Sequence, residues 1–267
     1  MVQIGSRLGI DYVRSIQEFV TISVFGQSIT INQCSIGPLA ISFVVWDAGL
    51  YLTDFLVYCF KEAGKSTTSF SLGAKVLDLG CGTGIGGICA LMMGADFVLF
   101  SDSCSIDLAN SNIHALPHEE LYRGKFSLVE YEWSKILVGH IPSEFRHGSS
   151  IDSTIITTTT SETEQQGDII WDSVICSDVL YDSKSHAALL RVLETLSFHQ
   201  AIIVYKKRHE VEEEAFFQCL SEWCELEVID PLVEGISFVN IKQSDLASLY
   251  IIIAKPISQK TNIFNRK

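Results

Sequence analysis

The chain has 267 residues, 47% of them apolar, with 32 acidic against 19 basic side chains and a formal charge of −13. The apolar share fills one sizeable core. The acidic excess argues against a surface built to neutralise phosphates, so no nucleic-acid partner is expected; it is compatible with steering a basic protein toward the molecule.

No basic segment followed by an apolar run opens the sequence, and runs such as Leu249 to Ala254 fall far short of the roughly 18 residues of a membrane helix. Neither a secretory signal nor a membrane partner is therefore expected. The eight cysteines (Cys34, Cys59, Cys81, Cys89, Cys104, Cys176, Cys219 and Cys224) include no Cys-x-x-Cys pair. Scattered, buried thiols suit a reducing compartment, so the expected address is the cytosol or the nucleus.

In chain order, Phe19 to Val24 and Ile29 to Ile31 alternate around Gly26-Gln27-Ser28 and predict a β-hairpin. Helical spacing runs from Trp46 to Phe60. Strands and helices then take turns: strand Lys75 to Leu79, helix Gly84 to Met93, strand Phe97 to Ser101, helix Ile106 to Ala115, strand Phe126 to Glu130. The alternation resumes with strand Ser173 to Ser177, helix Ser185 to Leu196, strand Ala201 to Tyr205, helix Glu210 to Cys224, and strands Leu226 to Ile229 and Ser248 to Ala254. Such alternation predicts a doubly wound, mainly parallel seven-stranded α/β sheet with helices on both faces. The last two strands, with no helical pattern between them, suit an antiparallel hairpin at one edge. The expected organisation is an N-terminal hairpin extension over 1–40, the main domain over 41–256 and a flexible tail over 257–267. Gly139 to Gly167, with the run Thr157 to Thr160, is too polar to pack and reads as a disordered surface insertion.

The sharpest local signal is Val76-Leu77-Asp78-Leu79-Gly80-Cys81-Gly82-Thr83-Gly84. A buried strand ends on an acid, and three glycines at alternate positions lead into a helix. Glycine permits positive φ and lets the backbone approach a ligand where any Cβ would collide. The helix N-terminus offers unpaired N–H groups to a carboxylate. Asp102, closing the second strand, suits the two ribose hydroxyls of an adenosine cofactor. Gly82-x-Gly84-x-x-Gly87 with Asp102 also satisfies the dinucleotide pattern. Asp78 tips the balance, because a carboxylate at the strand tip repels a pyrophosphate and suits the ammonium and sulfonium of S-adenosylmethionine.

A second constellation follows the fourth core strand, in Ser177-Asp178-Val179-Leu180-Tyr181. Open α/β sheets bind ligands beyond the carboxyl ends of their strands, where Asp178 and Tyr181 fall. A carboxylate and a phenol there could hold an attacking amine in line with a methyl donor. Alone, an Asp-x-x-Tyr pair reads equally as a strand-end cap with a packed tyrosine.

Taken together these residues resemble the seven-β-strand protein-lysine methyltransferases (methyltransferase family 16). The matching stretches are Phe25 to Gln33, Val44-Val45-Trp46-Asp47-Ala48, Asp78 to Gly84, Ser101-Asp102, Glu132-Trp133, Asp178 to Tyr181, and Tyr205 to Arg208 before Phe216-Phe217. They span the chain from about Ser15 to Pro256. The resemblance implies a Rossmann-like class I fold with S-adenosyl-L-methionine as cofactor. It implies cofactor contacts at Trp46, Gly80, Gly82, Asp102, Trp133 and Ser177, beside Asp78, Cys81 and Gly84 of the glycine turn. It assigns the target amine to Asp178 and Tyr181, and implies a monomer whose substrate is a protein such as a chaperone or translation factor. Ser134, where the family carries Gly or Asp, and the Gly139 to Gly167 insertion depart from the pattern and bear on target identity. Histidine, arginine or small-molecule methylation on the same scaffold, or a non-catalytic cofactor-binding adaptor, are the alternatives.

The remaining signals are weak. The seven histidines show no ligand spacing, so no metal is expected. Lys206-Lys207-Arg208 reads as a solvated strand end or a substrate-side loop anchor. Glu212-Glu213-Glu214 reads as a solvated helix face with first-turn charge.

Overall fold

The computed structural model describes residues 17–34, 41–61, 71–147, 169–230 and 235–257. Strands β1 (Phe19–Val24) and β2 (Gln27–Asn32) pair antiparallel, with Phe19 opposite Asn32 and Val24 opposite Gln27. The turn is Phe25-Gly26, one residue earlier than the sequence suggests; both residues have positive φ, which matches the right-handed twist of the paired strands. Alternation buries Val20, Ile22, Val24, Ile29 and Ile31 on one face.

The seven remaining strands are β3 (Lys75–Leu79), β4 (Phe97–Asp102), β5 (Phe126–Glu130), β6 (Trp171–Ser177), β7 (Phe198–Lys206), β8 (Cys224–Ile229) and β9 (Leu249–Pro256). They form one sheet in the order β5-β4-β3-β6-β7-β9-β8. The pairs from β5 to β7 are parallel, while β9 lies antiparallel between β7 and the edge strand β8. The expected antiparallel hairpin is therefore present, its connection carrying a 3₁₀ turn at Gln243–Ser248.

Among the described residues six α-helices accompany the strands: α1 (Asp47–Lys61), α2 (Ile85–Met92), α3 (Ile106–His114), α4 (Ser143–His147), α5 (His186–Thr195) and α6 (Glu210–Ser221). Strand residues alternate between two cores. Val76, Ile175, Ile202 and Val204 join the one shared with α1, α2, α3 and the hairpin. Leu77, Leu79, Val174, Cys176, Ala201 and Ile203 join the one under α5 and α6. Central strands buried on both faces explain the near-continuous apolar runs that mark them in the sequence.

The insertion opens differently from expectation. Ser143–His147 form a helical turn, Phe145 is buried, and its carbonyl accepts a bond from Trp171 Nε1 at 3.0 Å. One aromatic ring suffices to dock a polar segment when a pocket is waiting for it; here Tyr131 supplies an edge contact at 5.3 Å. Residues 148–167, like the tail from 258, lie outside the described residues.

Candidate active site

In the order β4-β3-β6-β7 the chain reverses direction of travel between β3 and β6, so the loops that leave their carboxyl ends diverge and open a crevice. Gly80, Gly82 and Gly84 have φ of 77°, 54° and 83°. A Cβ on Gly80 would stand 3.0 Å from both Trp133 and Val179, and one on Gly82 would stand 3.2 Å from the Ser42 carbonyl. The N–H groups of Gly80 and Cys81 donate to the Ser101 carbonyl, and Gly82 N–H donates to Asp102 Oδ2 at 2.9 Å. Asp102 Oδ1 accepts from Cys104 N–H at 3.1 Å, so this buried carboxylate is fixed by backbone donors before any ligand arrives.

Beyond the turn lies a cavity of about 370 Å³, within the range of small-molecule sites. Trp46, Gly80, Cys81, Gly82, Asp102, Trp133, Ser177, Asp178 and Tyr181 all line it. Trp46 is held by a bond from its Nε1 to the Ile41 carbonyl at 2.7 Å. Trp133 opens a 3₁₀ turn, Trp133–Val138, directly after the C-terminal end of β5. Tyr181, 37% exposed, stands at the mouth, and burial raises its phenol above the ordinary tyrosine range.

Asp78 and Gly84 are not on the cavity wall. Asp78 lies beneath the turn, 1% exposed, where its Oδ2 accepts the Gly87 N–H at 2.7 Å. Its Oδ1 has no hydrogen-bond partner among the described residues. Burial, reinforced by the nearby Asp102 charge and opposed by the Gly87 bond, pushes its carboxyl up to about 7. It therefore ties α2 to β3 and does not face a ligand cation, as the sequence reading expected. Gly84 is the N-cap of α2, and a Cβ there would press on Ala109 at 3.2 Å.

Asp178 sits in the left-handed region, φ 54°, with its N–H bonded to the Val204 carbonyl at 2.7 Å. Its two oxygens receive Arg208 Nη1 and Nη2 at 2.7 and 2.8 Å. The Arg208 guanidinium also lies 5.8 Å from the centre of the Trp46 ring. Lys206 Nζ reaches Asp47 Oδ2 at 3.2 Å. The basic stretch after β7 is thus only in part a solvated strand end: Lys207 stays at the surface on Glu210, but the Arg208 side chain is buried, because a two-toothed carboxylate partner waits inside. Glu213, too, leaves the solvated face assigned to it. It is buried, and its Oε1 accepts the N–H groups of Arg208 and His209 at 2.8 and 3.0 Å. The hints of Arg208 in the sequence are its place just past a strand's carboxyl end and its membership of the matching stretch Tyr205 to Arg208. No local pattern pairs it with a residue thirty positions earlier.

The glycine cradle, the pre-set Asp102 carboxylate and the two indole rings fit an adenosine-bearing ligand, where a pyrophosphate would meet no cationic side chain at the turn itself. A sheet of this order with this turn at its switch point is the fold of S-adenosylmethionine-dependent methyltransferases. A Streptococcus mutans protein described as such a methyltransferase superposes with a TM-score of 0.52 at 16% identity, over 90% of this chain and 56% of that one. A methyltransferase in complex with S-adenosylhomocysteine superposes equally well, TM-score 0.52 at 16% identity, over 89% and 56%. These likenesses speak for the fold alone.

The sequence narrows the class. The lysine methyltransferase family model matches residues 26–156 and 157–223, more than half of the chain. The chain belongs to that family. Protein N-lysine methyltransferase METTL21A of Danio rerio is 27% identical over 179 residues, 67% of this chain and 66% of that protein. Its Mus musculus counterpart is 25% identical over 186 residues, 69% and 68%. EEF1A lysine methyltransferase 3 of Mus musculus is 32% identical over 90 residues, 34% and 35%. The chain thus spans about two thirds of the length of the first relatives it matches.

Proposed function

We propose that the protein transfers a methyl group from S-adenosylmethionine to the ε-amine of a lysine in another protein. The observation that carries this reading is one cavity whose wall holds the glycine turn and Asp102 together with Asp178 and Tyr181. When bound, S-adenosylmethionine supplies an electrophilic methyl group on a sulfonium.

The chain's own groups do the rest by placement. Gly80 and Gly82 let the backbone close on the ligand, Asp102 accepts hydrogen bonds from ribose hydroxyls, and Trp133 gives an apolar wall. At the mouth, the Tyr181 hydroxyl receives and orients the neutral amine, whose proton has left to solvent. Asp178, held by Arg208, forms another part of the cavity wall.

The target belongs to the same proposal. A basic segment of a chaperone or translation factor suits the net acidic chain, and one relative is named for lysine methylation of EEF1A. A monomer working in the cytosol or nucleus, without membrane or nucleic-acid partner, completes the reading; all eight cysteines are free thiols, which supports a reducing compartment. The test is calorimetry with S-adenosylhomocysteine and NAD, followed by transfer of tritiated methyl to the protein fraction of a cell extract. Binding of the first ligand alone, with label in protein, is expected; tight NAD binding with no response to S-adenosylhomocysteine would overturn it.

A further inference from the structure

Two cations that leave the end of β7 on alternate residues turn inward and grip two acids. Of the two acids only Asp178 lines the cavity: Arg208 takes Asp178, while Lys206 takes Asp47, which lies behind the wall next to the lining residue Trp46. Three stretches far apart in the chain, 46–47, 178–181 and 206–208, thereby become one ionic unit. We infer that Arg208 is a positioning residue for the transfer: it acts through Asp178, fixing that carboxylate against the site where the amine meets the donor. The inference rests on the lysine-transfer reading above.

Four observations support it. The Arg208 and Asp178 side chains are only 6% and 4% exposed, so the two charges are withdrawn from water together as a pair. The pair is two-toothed, which fixes the carboxylate's plane as well as its place. Asp178 is held at φ 54°, a backbone conformation that surrounding contacts must sustain in a residue with a Cβ. Arg208 is itself held, its N–H by the buried Glu213 and its Nη1 by the Lys206 carbonyl at 3.1 Å. Asp178 therefore meets the substrate with its charge already balanced. Its contribution is geometry, a rigid acceptor beside Tyr181, in place of the free anion that the sequence alone suggests.

Lysine cannot reproduce this, since an ammonium is a point charge that cannot span both oxygens. Alanine removes the ionic partner of a buried carboxylate and leaves it the Lys206 N–H at 3.4 Å, so Asp178 is expected to turn toward water. The test uses the full chain as wild type, Arg208→Ala and Arg208→Lys. It reads S-adenosylhomocysteine affinity by calorimetry, then kcat and KM for protein methylation, with and without millimolar guanidinium and with ammonium as control.

Arg208→Ala is expected to keep cofactor affinity within about threefold while kcat falls by about 10²-fold, the loss of a misplaced reactant. Guanidinium should restore part of kcat and ammonium none, and Arg208→Lys should fall between. A kcat equal to wild type in Arg208→Ala overturns the inference. So does a parallel loss of cofactor binding and kcat that guanidinium does not mend, which marks a purely structural role. If Arg208→Ala fails to fold, Arg208→Lys decides: lowered kcat at unchanged cofactor affinity supports the inference, and wild-type kcat overturns it. A wild-type protein that binds S-adenosylhomocysteine but methylates no lysine overturns the transfer reading, and the inference with it. An active wild type with fully active Arg208 variants overturns the inference alone.

Discussion

Asn112 donates a hydrogen bond from its Nδ2 to the carbonyl of Thr83, 2.9 Å away inside the glycine turn. The same side chain exchanges two bonds with the backbone of Asn32, donating to its carbonyl at 3.0 Å and accepting its N–H at 2.8 Å. One buried amide thus joins the N-terminal hairpin to the turn that cradles the ligand, with every donor and acceptor it offers there engaged. Asn112→Ala should cost about 1–3 kcal/mol, because three backbone groups lose their partner. It should also weaken S-adenosylhomocysteine binding, since Thr83 is no longer fixed. Urea unfolding and calorimetry check the two effects; unchanged stability would mean that water replaces the amide freely.

Phe145 anchors the beginning of the insertion between Tyr131 and Trp171. Truncation of a ring buried to 1% exposure should destabilise the fold by about 3 kcal/mol. Thermal or chemical unfolding of Phe145→Ala reads this directly. A change near zero would show that the pocket collapses around the missing ring or that the segment detaches without cost.

Asp78 gives the protein a pH dependence of defined sign. Its carboxyl is raised from 3.8 to about 7 in the folded chain, so the folded state keeps a proton that the unfolded state releases. The stability this contributes is fully present below the unfolded value and is lost as pH rises through about 7. Unfolding free energy should therefore fall between about pH 4 and pH 7 and level off above, and Asp78→Asn, which imitates the neutral acid, should flatten the slope. Asp54, also pushed up by burial, leaves a residual slope of the same sign. An identical slope in wild type and variant would contradict the assignment.

Within the cavity, single substitutions should separate binding from transfer. Asp102→Ala should weaken S-adenosylhomocysteine by about 1–3 kcal/mol, through lost ribose bonds and a loosened Gly82. Tyr181→Phe should leave that affinity intact and lower kcat by about tenfold, the worth of one neutral hydrogen bond made on the way to transfer. Calorimetry beside steady-state kinetics distinguishes them. Loss of cofactor binding in Tyr181→Phe would place the tyrosine with the cofactor and leave the amine without its orienting group.

Where the cavity wall follows local pattern, it was legible in the sequence. The glycine spacing, the acid closing β4 and the Asp-x-x-Tyr pair each follow a strand, and a strand's carboxyl end is where an α/β sheet opens. Periodicity sufficed for all nine strands, with errors confined to ends such as Trp171 and Phe198, where apolar runs continue past a polar residue. What escaped was long-range pairing. Arg208 and Glu213 carry the same charge signature as solvated residues, and only the fold places the guanidinium on Asp178 and the carboxylate on two loop N–H groups. Asp78 was misplaced for a related reason. Position in a motif gives proximity to the ligand, but the direction of the side chain depends on the pleat, which turns it inward to Gly87.

The central claim is that this cavity delivers a methyl group to lysine. The most direct measurement incubates the protein and S-adenosylmethionine with a cell extract, isolates the labelled protein band and maps the methyl group by tandem mass spectrometry. Wild type and Tyr181→Phe are compared at equal cofactor saturation. The account predicts methyl-lysine in the labelled band, with the label reduced in Tyr181→Phe. Methylation confined to histidine, arginine or small molecules, or equal labelling by both proteins, would contradict it.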